Sequence, residues 1–126
     1  MILSVMPVNH AYEAEVEISI PDTAEGGLML ASGGRGGSSW ATVGMRRGEA
    51  FATWAGQANY LNWSGNRIFV RIRNMRYDIS CFYSVDGKNW IPFDNSTYVT
   101  DGRRLSLYAA GEGQVVFRNF KYRGLE

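Results

Sequence analysis

Glu13, Glu15 and Glu17 alternate with Ala14, Val16 and Ile18 near the start of the chain. On an extended strand every second side chain shares a face, and i to i+2 neighbours stand about 6.6–6.8 Å apart. Carboxyl pairs about 5–5.5 Å apart serve retaining cleavage of a glycosidic bond, and pairs roughly 6.5–9.5 Å apart serve inversion. The triplet therefore has the residue type and spacing for acid–base work on a sugar. The structural alternative is a solvated strand face whose charges resist aggregation, and it is the stronger of the two. It places an acidic edge toward water.

Other catalytic chemistry has less to build on. His10 is the single histidine and stands in a segment expected to fray, so neither a Ser-His-Asp arrangement nor a histidine-based metal site can be assembled. Gly33-Gly34-Arg35-Gly36-Gly37 lacks the lysine-serine ending and following helix of a phosphate cradle, and reads as a loop. Asp22, Glu25, Asp94, Asp101 and Glu112 lie near turns and could hold a structural calcium, though without a recognisable loop signature; no other cofactor or metal is expected. Cys81 has no partner for an internal disulfide and lies between Ile79 and Tyr83 on the apolar parity of its strand, which favours an inert buried thiol.

The fuller signal is aromatic and planar-polar. Sugars present apolar C–H faces and hydroxyls, so proteins that bind them offer rings beside Arg, Asn, Gln or Asp. Four tryptophans and seven tyrosines supply rings. Strand parity selects Trp40, Trp54, Phe69, Arg71, Arg73, Asp78 and Phe82 for the ligand-binding set, and loop position adds Tyr60 and Trp63. Tyr60 and Trp63 fall in an Asn/Gly-rich connection over 56–66, where rim loops commonly carry function. Each has a plainer alternative. Trp40 and Trp54 serve equally well as core, and Trp90 reads as a lid on the sandwich end. Arg71 or Arg73 is expected to pair with Asp78 across the sheet.

The elements that position these residues are short strands. Glycine is abundant, proline scarce, and apolar residues alternate along many segments, the mark of an all-β fold of two antiparallel sheets. Tyr12, Ala14, Val16, Ile18 and Ile20 share a buried parity; so do Ala41, Val43 and Met45, and Ile68, Val70 and Ile72. Phe51 and Thr53 are placed inward, with the opposite choice nearly as good. Pro21-Asp22 and Gly26-Gly27 bracket a turn into Leu28–Ala31, and 94–101 reads as a polar loop. The strongly patterned first and last strands are expected to pair.

Composition bounds the partners. A chain of 126 residues reads as one domain over 1–126, able to bury a core without staples. Thirteen basic against twelve acidic residues leave +1, so no nucleic acid or other polyanion is expected as main partner. No apolar run of about eighteen residues exists to span a membrane, and no secretory signal is visible.

Strand Tyr77–Val85, the turn Asp86-Gly87-Lys88-Asn89 and Trp90 form a hairpin signal. Together with Val70-Arg71-Ile72, Gly27-Leu28-Met29-Leu30 and the closing Phe117-Arg118-Asn119-Phe120-Lys121-Tyr122, the order of elements resembles a known family. It is similar to the concanavalin A-like jelly-roll domain at the C-terminus of family 43 β-xylosidases and arabinofuranosidases, and to related laminin-G-like modules. The resemblance implies a β-sandwich jelly roll excised from a larger carbohydrate-active enzyme, secreted or held at the cell surface with its parent. It implies a non-catalytic module that binds plant cell-wall polysaccharide of the xylan or arabinoxylan type. An accessory domain packed on a glycoside hydrolase catalytic domain is the alternative, and a small sandwich glycosidase using the first-strand glutamates is the third reading. Extra tryptophans near Trp54 and Trp63 depart from the family pattern and favour ligand binding.

Overall fold

The computed structural model describes the backbone of residues 2–5, 11–32, 39–54, 57–76, 78–93, 97–98 and 102–125, and the side chains of 11–30, 41–53, 65–76, 78–93 and 105–125. These residues form β1 (Ile2–Val5), β2 (Ala11–Ser19), β3 (Ala24–Ser32), β4 (Ser39–Arg46), β5 (Glu49–Trp54) and β6 (Gln57–Ser64). They continue through β7 (Arg67–Met75), β8 (Asp78–Ser84), β9 (Ile91–Pro92), β10 (Thr97–Tyr98), β11 (Gly102–Gly111) and β12 (Val116–Gly124). One sheet has the order β1-β11-β3-β4-β5-β6; the other runs β10-β8-β7-β2-β12, with β9 also paired to β8. Every described pairing is antiparallel, and the architecture is an all-β two-sheet sandwich.

The alternation along β2 decides which side of the second sheet is buried. Ala14, Val16 and Ile18 stand opposite Ile72, Val70 and Ile68 of β7, and all six are buried. Leu28, Leu30, Ala41, Val43, Met45, Ala50, Ala52 and Leu105 close the core from the first sheet. Facing sheets pack about 10 Å apart, so these two sets interdigitate. Strands β2 and β12 pair along most of their length, as the sequence leads one to expect of the patterned end strands.

Four expectations about strands, turns and loops change. Gly26 and Gly27 lie inside β3 and not at a turn; the chain turns earlier, over Pro21–Thr23. Gly27 stands opposite Gly44, and a Cβ on either would lie 2.2 or 2.1 Å from a backbone oxygen of the other strand. Glycine is needed there for close approach of β3 and β4. Ala50 and Ala52, not Phe51 and Thr53, face the core; Phe51 is buried on the other side of the first sheet, with the Arg46 guanidinium 4.3 Å from its ring centre. The expected connection over 56–66 contains β6, whose pairing with β5 extends the sheet. The polar loop over 94–101 contains the two-residue β10, which pairs with β8. His10 and the loop over 33–37 lie outside the described residues.

Candidate functional site

The outer face of the second sheet collects the charged residues that alternation excludes from the core. Register sets them in rows across β8, β7, β2 and β12. One row runs Ser80, Arg73, Glu13, Arg123; the next Phe82, Arg71, Glu15, Lys121; the third Ser84, Phe69, Glu17, Arg118. A central acidic strand is thus flanked by two basic ones. Opposite charges directly across antiparallel strands stabilise the pairing.

The expectation that this acidic edge faces water is corrected. Glu13 and Glu17 are only 3 % and 5 % exposed, because β2 has a neighbour on each side and the long arginines fold over it. Arg73 donates to Glu13 at 3.1 Å, and Arg123 donates to its other oxygen. Arg71 donates to Glu15 at 2.9 Å and Arg67 to Glu17 at 2.5 Å, where the Asn119 amide also donates. Burial works against ionising Glu13, but the Arg73 hydrogen bond and the Arg71, Arg123 and Arg73 charges outweigh it and hold the carboxyl below its ordinary range.

Aromatic rings complete the face. Arg71 lies 4.0 Å from the centre of the Trp90 ring, Arg73 4.9 Å from Phe82 and Arg67 5.7 Å from Phe69. Such stacking suits a planar guanidinium. Arg71 is the most constrained: one end is held on Glu15, its guanidinium carbon lies over the Trp90 ring, and its Nε is buried without a hydrogen-bond partner. A buried unpaired donor costs about 1–3 kcal/mol, so the surroundings fix this guanidinium against its own hydrogen-bonding preference.

The hairpin turn holds Trp90 there. Ser84 Oγ accepts from the Gly87 amide at 2.8 Å, and Asp86 Oδ1 accepts from the Lys88 and Asn89 amides, each at 2.8 Å. Those bonds, with the Asn89 side chain and Ser84 hydroxyl, keep the Asp86 carboxyl far below the usual aspartate range. Gly87 takes φ +78°, and a Cβ there would meet the Phe69 ring at 3.2 Å. The turn therefore rests on Phe69 while β9 folds back on β8, with Ile91 opposite Tyr83. Trp90 accordingly lies beside Arg71 on the outer face and is not the core lid read from the sequence.

The nine residues selected from the sequence divide between the sheets. Phe69, Arg71, Arg73 and Phe82 converge on the face just described. Asp78 is exposed at the end of β8, opposite Met75; the expected pairing with Arg71 or Arg73 is replaced by the glutamates of β2. Trp40, Trp54, Tyr60 and Trp63 belong by backbone to β4, β5 and β6 of the first sheet, and their side chains lie outside the described residues. Strand parity alone does not select Trp90, Glu15, Lys121 or Arg123 as ligand-binding. Their signal is the matching alternation of acids in β2 and bases in β7 and β12, which gains meaning only with the register.

Glu13, Glu15, Arg71, Lys121, Tyr122 and Arg123 line an open cleft on this face. Among the described residues, no group of three or more His, Cys, Asp or Glu side chains is placed to hold a metal ion, and Glu25 is instead held by Arg46 and the Tyr108 hydroxyl. No helix among them is long and apolar enough to cross a membrane.

No protein-family model matches the chain, and no curated protein matches it. Solved structures do. A bifunctional GH43-CE protein of Bacteroides eggerthii aligns over 98 % of this chain and 20 % of its own, with TM-score 0.73 and 18 % identity. The GH43 protein BlXynB of Bacillus licheniformis, as a K247S mutant, aligns over 94 % of this chain and 28 % of its own, at 0.64 and 16 %. A tetrameric galectin from the ball sponge Cinachyrella sp. aligns over 98 % of this chain and 99 % of its own, at 0.67 and 12 %. The fold is thus the jelly-roll sandwich expected from the sequence. The chain spans under a third of the length of these GH43 proteins.

Proposed function

We propose that the chain is a non-catalytic carbohydrate-binding module and that the outer face of the second sheet is its binding surface. The observation that carries this reading is Arg71, stacked on Trp90 and anchored by Glu15 beside an open cleft. The Trp90 surface that Arg71 leaves uncovered takes the apolar side of a pyranose, while fixed guanidinium and carboxylate edges pair with hydroxyls in a preset direction. Preorganisation of this kind lowers the ordering cost of binding. The structural likeness to GH43 proteins and to galectins supports a carbohydrate-related role, and xylan-type plant-wall polysaccharide is the ligand we propose by resemblance to the family 43 domains.

Catalysis by the first-strand glutamates fits less well. A general acid needs a raised pKa, whereas Glu13 is shifted down and Glu15 and Glu17 are each tied to an arginine. An accessory domain packed on a catalytic domain is favoured by a different observation: Val85 and Ile91 flank the β8–β9 turn and are 59 % and 47 % exposed. We place any parent catalytic domain against that end, and secretion or surface display with the parent follows from the same proposal.

Affinity electrophoresis against soluble xylan, arabinoxylan, xyloglucan, mixed-linkage glucan and pectin tests the reading, with Trp90→Ala, Trp40→Ala, Trp54→Ala and Trp63→Ala alongside. Retardation lost in Trp90→Ala supports the outer face. Retardation lost only in a first-sheet tryptophan variant moves the site, and none on any polymer removes the binding reading.

A further inference from the structure

We infer that the glycan taken by this face bears carboxylates, that is, a polysaccharide containing uronic acid residues; this rests on the binding reading above. The chain's overall charge of +1 conceals a segregation. On the outer parity of β2, β7 and β12, six cations (Arg67, Arg71, Arg73, Arg118, Lys121 and Arg123) face three glutamates. That leaves three surplus positive charges there, while the remainder of the chain holds seven bases against nine acids. Asp78, at the far end of β8, also has this parity, so the surplus is concentrated toward β12.

The placement of the surplus is specific. The glutamates are committed inward: Glu15 to Arg71, and Glu13 shared between Arg73 and Arg123. Lys121 and Arg123 are exposed on the β12 rim of the cleft, with Arg71 at its other wall. Being two residues apart on one strand, they stand about 6.6–6.8 Å from each other, so both address one short stretch of ligand. A pyranose seated against Arg71 in the cleft would present a ring carboxylate to this rim. Charge-assisted hydrogen bonds from Lys and Arg to a carboxylate are stronger than those to a hydroxyl. Neutral polysaccharide would leave the surplus unused.

The test compares a glucuronate-substituted xylan with the same polymer after its carboxyl groups are reduced to alcohols, using the full chain in titration calorimetry. Binding about fivefold tighter to the carboxylate form is expected, narrowing as salt rises from about 0.1 to about 1 M and the screening length falls from about 10 to about 3 Å. Lys121→Gln and Arg123→Gln should each narrow the preference about twofold, within the scale of exposed charge pairs. Equal binding to both forms overturns the inference and leaves the carbohydrate reading intact. Binding to neither overturns the inference, and it removes the carbohydrate reading as well when none of the other polymers is bound. Dextran sulfate bound as tightly as the uronate polymer also overturns the inference, since bare polyanion attraction would then account for the preference.

Discussion

Arg71 lies over Trp90 with its guanidinium carbon 4.0 Å from the ring centre, while its Nη2 reaches Glu15 at 2.9 Å. Three elements remote in sequence, β2, β7 and the segment after the Asp86 turn, meet at that one side chain. Lysine keeps the charge but has neither the plane nor the fork. Arg71→Lys should therefore weaken polysaccharide binding at least about tenfold, while Tm falls by no more than a few degrees. Affinity electrophoresis and a thermal melt on the same sample check both.

The turn that delivers Trp90 depends on Gly87. Its φ of +78°, and a Phe69 ring that would stand 3.2 Å from any Cβ placed there, oppose a side chain. Gly87→Ala should destabilise by about 1–2 kcal/mol, the cost of left-handed backbone for an L-residue, with some binding lost as Trp90 shifts. Urea unfolding gives the first quantity. An unchanged midpoint would contradict the description of the turn.

Much of this architecture can be read from residue types. The parity of β2 and β7 names the core side without ambiguity, since Val16, Ile18, Val70 and Ile72 leave charged residues on the other face. What cannot be read is which strands are neighbours. Glu13 and Arg73 are paired by the fold across sixty positions, and local pattern carries no information about that distance. Alone, the glutamates look like a solvated edge and the arginines like partners for the nearby Asp78. Phe51 misleads for a related reason: a large ring invites assignment to the core, whereas the small Ala50 and Ala52 fit the sandwich interior and Phe51 packs outside it. Trp90 follows a turn and carries no alternation of its own, so only the packing of Gly87 on Phe69 reveals its direction.

Acid should loosen the ionic face. Glu13 has a folded pKa below its ordinary 4.5. A depressed carboxyl contributes stability that is fully present above the unfolded value and is lost as pH falls through the folded one. Stability should hold from neutral pH to about 5 and decline below about 4.5. Denaturant midpoints across that range measure it, and Glu13→Gln should flatten the decline.

Cys81 is 1 % exposed, and burial pushes its thiol up to about 12. Native protein should not react with a disulfide reagent near pH 8, and one thiol should appear on unfolding. Rapid labelling of the native chain would show that the core around Ile72 and Cys81 opens readily.

The most direct measurement is nuclear magnetic resonance on 15N-labelled protein titrated with xylan-derived and uronate-bearing oligosaccharides. If the outer face of the second sheet is the binding surface, the Trp90 indole N–H and the Arg71 Nε–H should shift first and saturate together, with Lys121 and Arg123 amides following. Shifts confined to β4, β5 and β6, around Trp40, Trp54, Tyr60 and Trp63, would contradict this and place the site on the opposite sheet.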